Sequence, residues 1–169
     1  MASENAIAAV SQSLVWLLAQ GCPRRAFGLA DADFVLVQAS EIERKRPTRG
    51  ISVLLYRVTV NVSMRDQAPR RRVLNTGPRS LPLELHYLIT PWADSAESQQ
   101  KLLGWVIRFL ERCPAINDDV LNQTIPGAFS PGESVQLVAD SLEYAGSTLN
   151  GLGPTLPPSA AYAARLLMS

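Results

Sequence analysis

The sequence predicts an α+β domain spanning residues 1–169, with one mixed, mostly antiparallel sheet flanked by helices. Three observations carry this. Strand-like segments outnumber helical ones. The order reads α-β-β-β-α-β-α-β, without the strict alternation that builds a doubly wound parallel sheet. Finally, 169 residues with 47% hydrophobic and 18% charged side chains suffice for one buried core, and no linker is long enough to divide it.

Residues 4–20 read as an amphipathic helix. Ile7, Val10, Leu14, Leu17 and Leu18 recur at helical spacing, Ser3 is the candidate N-cap, and Gly21 and Pro23 supply the stop. Phe34–Gln38 is a short strand. Residues 51–62 form a longer one that alternates from Tyr56 onward, with Val58, Val60 and Val62 against Arg57, Thr59 and Asn61. Leu83–Thr90 is a third strand, ending at Pro91, with Leu83, Leu85, Tyr87 and Ile89 on one face. A helix over 95–112 opens with Asp94 as N-cap and Glu97 three residues on. Residues 115–133 are loop-rich, with Asp118-Asp119 starting a helical turn. A strand over Val135–Ala139, a helix from Ser141 to Leu149 and a strand over Ala160–Met168 complete the set.

The motifs of catalysis are missing from this pattern. GLGP at 151–154 follows a helix and lacks the Lys and Ser/Thr of a phosphate loop, so it reads as a helix C-cap. His86 is the single histidine; Glu84 shares its face, nothing marks a nucleophile, and a strand histidine facing solvent or an interface is expected. Cys22 and Cys113 have no metal-ligand spacing and read as reduced thiols. Glu41/Glu43 and Asp118-Asp119 are carboxylate pairs without a ligand set. No catalytic residue, cofactor or metal is assigned. Residues 1–22 contain no Lys or Arg, and the apolar run Leu14–Ala19 is far shorter than the ~20 residues that cross a bilayer. Synthesis in the cytoplasm is expected, with no membrane partner.

Charge is the informative feature. Residues 41–80 carry a net +7, residues 81–169 a net −5 and residues 1–40 a net −1. The positive charge gathers at Arg44-Lys45-Arg46 and Arg70-Arg71-Arg72. Solvated loops are one explanation. A nucleic-acid-binding patch is another, although a pI near 7.8 and the lack of interleaved aromatic residues speak against it. The third is self-complementarity, a basic edge of one subunit meeting an acidic edge of the next, and such head-to-tail contacts close into rings or run into filaments.

The segments IAAVSQSLVWLL, LLYRVTVN, LPLELHYLITPWA (81–93), QQKLLGWVIRFLERCP (99–114) and SAAYAARLLMS (159–169), in this order, resemble the cap or tail-terminator proteins of extracellular contractile injection systems, the phage-tail-like particles related to the antifeeding prophage. The resemblance implies a fold like that of phage tail terminators. It also implies a hexameric ring that ends the inner tube and the sheath at the end distal to the baseplate, in a particle that is cytoplasmic or released. Some members carry an extra C-terminal domain, which these 169 residues do not include. On this reading Arg44, Lys45, Arg46, Arg70, Arg71 and Arg72 are candidate interface residues. Tyr162 and Arg165 on the last strand, whose small alanines suit close approach to a neighbour, are further candidates.

Overall fold

A computed structural model describes residues 2–61, 81–140 and 157–168. Its frame is a six-stranded sheet. In chain order the strands are β1 (Phe34–Val37), β2 (Gly50–Val60), β3 (Leu81–Trp92), β4 (Ala115–Asn117), β5 (Ser134–Ala139) and β6 (Ala160–Met168). In space the order is β1-β2-β3-β6-β5-β4. Among the described strands only β1 and β2 run parallel; the other paired strands are antiparallel. The predicted mixed, mostly antiparallel sheet is therefore present. The helices are α1 (Ala6–Gly21), α2 (Arg24–Phe27), α3 (Ile42–Lys45), α4 (Ala96–Glu111) and α5 (Asp118–Thr124). The helix expected over 141–149 lies outside the described residues.

The core forms where one face of the sheet meets the apolar stripes of the helices. Val10, Leu14 and Leu18 of α1, Leu102, Val106 and Leu110 of α4 and Leu121 of α5 pack against Val53, Leu85, Tyr87, Ile89, Val135 and Leu166. Burying a side chain of this size contributes about 1.5–3 kcal/mol. Polar groups aimed into this layer are satisfied: the Tyr87 hydroxyl lies 2.7 Å from Ser11 Oγ, Ser11 Oγ also donates to the Ile7 carbonyl, and the buried Ser13 Oγ lies 3.2 Å from Thr124 Oγ1. A smaller cluster on the other face joins Val37, Leu54, Leu88 and Ala161 beneath Ile42 of α3.

Boundaries differ from the sequence reading for identifiable reasons. Pro91 does not end β3. The β6 pairing stops at Ile89–Ala160, so among the described residues Pro91 has only β2 beside it and can dispense with one N–H. The 2:1 register shift between Leu55 and Arg57 places the extra residue Tyr56 in a bulge, after which Val58 and Val60 return to the helix face. Asn5, not Ser3, occupies the N-cap position of α1; Ser3 Oγ instead accepts from the Asn5 N–H. The cap of α4 is Ser95, not Asp94, because Ser95 Oγ accepts from the Ser98 N–H at 3.2 Å. Ser95→Ala is expected to lower stability by about 1 kcal/mol, read as a shift of the urea midpoint at constant slope.

Candidate assembly surface

The first arginine cluster sits on α3, beside β1. Lys45 Nζ lies 2.7 Å and Arg44 3.6 Å from the Glu41 carboxylate, and the hydrogen bond from Lys45 holds the Glu41 carboxyl below its usual range. Both cations stay largely in water, Arg44 being 77% exposed, so these pairs add little stability. Arg46 turns the other way. Its guanidinium carbon stands 4.8 Å above the Trp92 ring, a cation–π contact, and no carboxylate pairs with it among the described residues. Trp92 is held from below, its Nε1–H donating to Ser52 Oγ at 2.9 Å. Arg49 pairs with Asp94. Sequence reasoning missed this layer. Residues 46 and 92 meet only because Gly50 and Trp92 are partners in the β2–β3 ladder. With Arg44, Lys45 and Arg49 each facing a carboxylate, this half of the basic patch is not an open run of phosphate-binding cations.

A polar lattice occupies the sheet face opposite α1, α4 and α5. His86 Nδ1 is 2.7 Å from Asp140 Oδ2, and His86 Nε2 is 2.9 Å from Thr59 Oγ1. The Tyr56 hydroxyl donates to the same Asp140 oxygen; burial, then the Asp140 charge, pushes the phenol up to about 12. Glu84 Oε1 accepts from Arg165 Nε at 2.6 Å and from Asn61 Nδ2 at 2.8 Å. The expectation that His86 faces solvent or an interface is therefore corrected: its side chain is 11% exposed and bonded on both nitrogens within the chain. Hydroxyl, imidazole and carboxylate stand here in the order of a nucleophile triad. Thr59 and His86 stand on paired strands, however, where the ladder engages the backbone N–H groups that an oxyanion site would need. None of the three lines the cavities of about 180, 270 and 350 Å³.

Of the remaining interface candidates, Arg165 is half-exposed and engaged with Glu84. Tyr162 is buried in the core, 4% exposed, with its hydroxyl donating to Glu111 Oε1. Its side chain is thus spent inside the domain. Arg70, Arg71 and Arg72 lie outside the described residues. Cys22 and Cys113 are free thiols, and burial pushes Cys22 up to about 11. Among the described residues no three His, Cys, Asp or Glu side chains converge as a metal site, and no helix is long and apolar enough to cross a membrane.

The sheet thus has α1, α4 and α5 on one face, bonded polar side chains and α3 on the other, and exposed cations beside the β1 edge. Residues 9–169 match the family described as Pvc16 N-terminal domain, and the chain belongs to that family. No curated protein matches in sequence. Among solved structures, the chain is similar to the PVC sheath/tube terminator of an extracellular contractile injection system in its extended state. The TM-score is 0.56 at 19% identity, covering 96% of this chain and 56% of that one. At that identity the likeness is one of fold, and this chain spans little more than half of its neighbour's length.

Proposed function

We propose that this chain is the terminating subunit of a contractile injection particle, ending the tube and the sheath as a homo-oligomeric ring, six-membered by the resemblance. The observation that carries the reading is the family match over residues 9–169, joined by a fold shared with a sheath/tube terminator. The chemistry agrees. Stopping a head-to-tail polymer requires a surface that fits the growing end and offers no continuation beyond it, which is a binding task needing no catalytic group. The chain is accordingly read as a non-enzyme, made in the cytoplasm and incorporated into the particle, with tube and sheath subunits as its partners.

Tube subunits polymerised with increasing amounts of the purified chain provide the test, with lengths read by negative-stain electron microscopy. Lengths that fall as the chain is added, with extra density at one end only, are expected. An unchanged length distribution, in the presence and absence of sheath subunits, would overturn the reading.

A further inference from the structure

We propose that the outer edge of β1 in one copy receives the outer edge of β4 in the next, so that the sheet continues from subunit to subunit. The inference rests on the ring reading and names the contact that would close it.

The topology makes these two edges a pair. β1 and β4 lie at opposite ends of the sheet order, and among the described residues β2 is the only strand beside β1 and β5 the only one beside β4. Joining two unlike edges is a head-to-tail contact, the kind that propagates around a ring instead of stopping at a dimer. The lengths match, four residues against three. Both edges are short and Pro114 directly precedes β4, but neither strand itself contains a charge, a proline or a bulge. β1 reads Phe-Val-Leu-Val and leaves Leu36 42% exposed. β4 reads Ala-Ile-Asn, with Ala115 and Asn117 exposed on either side of a buried Ile116.

Charge orients the join. Beside β1, α3 packs through Ile42 against Val35 and Val37 and holds Arg44 and Lys45 in solvent with Arg46 after them, a rim that stays net positive although Glu41 and Glu43 lie among them. Beside β4, the chain passes directly into α5, whose first turn presents Asp118 and the exposed Asp119. The cationic rim of one copy would meet the anionic rim of the next, while β1-to-β1 and β4-to-β4 contacts would set like charges together.

The test uses two variants of the full chain, Arg44→Glu/Lys45→Glu and Asp119→Lys, with mass read by native mass spectrometry at low and high salt. Each alone is expected to raise the concentration for half-assembly by roughly tenfold at low salt. An equimolar mixture is expected to regain rings in which the two variants alternate, because each reversed edge then finds an opposite partner. That recovery also shows that both variants are folded. A wild-type ring whose two variants assemble as it does would overturn the β1–β4 contact and leave the ring standing. A wild-type chain that stays monomeric, alone and with tube and sheath subunits, would overturn the ring and this contact together.

Discussion

Gly50→Ala is expected to destabilise the fold by about 3 kcal/mol or more, and to act first on the β1–β2 pair. Gly50 opens β2 at φ 139°, a conformation that L side chains rarely adopt. A Cβ built there would stand 2.0 Å from the Asp33 carbonyl oxygen and 2.8 Å from its carbon. These are backbone atoms, so no rotamer change relieves the clash. The 3-10 turn Asp31–Asp33 is itself tied down, with Asp33 Oδ2 accepting from the Ala30 N–H at 2.7 Å. The strand must therefore shift to make room. Backbone strain costs about 1–3 kcal/mol and overpacking another ~1–3 kcal/mol. Gly127→Ala is the control: φ is 76°, but nothing lies within 4 Å of the added carbon, so about 1 kcal/mol from conformation alone is expected. Urea denaturation of both variants checks the argument. Equal losses would mean that the close approach to Asp33 contributes nothing.

Elements whose information is local were legible in the sequence. The stripe Val10, Leu14, Leu18 has its period within one helix, and the alternation Leu83, Leu85, Tyr87, Ile89 within one strand, so both faces could be read before any partner was known. What each strand lies beside was not legible. Nothing in β6 says that it inserts between β3 and β5, and nothing in Phe34–Val37 says that it pairs in parallel with β2; both follow from long-range burial. Pro91 misled because a proline's cost depends on whether a neighbour needs its N–H, and here β6 has already ended. His86 misled for a similar reason. Alternation placed it on the face away from the core, but Asp140 and Thr59, 54 and 27 residues away, make that face a bonded lattice. The arginine cluster at 44–46 was legible as charge. Its division into solvent-facing Arg44 and Lys45 and a stacked Arg46 was not, because the dividing residue is Trp92.

Trp92→Ala is expected to cost about 3–5 kcal/mol and to impair assembly beyond that loss. The indole is 8% exposed, fills the end of β3, and hydrogen-bonds to Ser52, itself 1% exposed. Removing it leaves a cavity and an orphaned hydroxyl, and takes away the platform under Arg46. Two further variants separate packing from recognition. Trp92→Phe keeps an aromatic face and loses the Ser52 bond, for about 1 kcal/mol. Arg46→Ala loses only an exposed stack, about 0.5–1 kcal/mol. If the stacked guanidinium is held ready for a carboxylate of a neighbouring subunit, Arg46→Ala lowers ring formation far more than its small stability change explains. Adding Trp92→Ala in a still-folded background then lowers it little further, since the two act as one unit. Ring formation unchanged in Arg46→Ala would assign Arg46 to covering Trp92 within its own subunit.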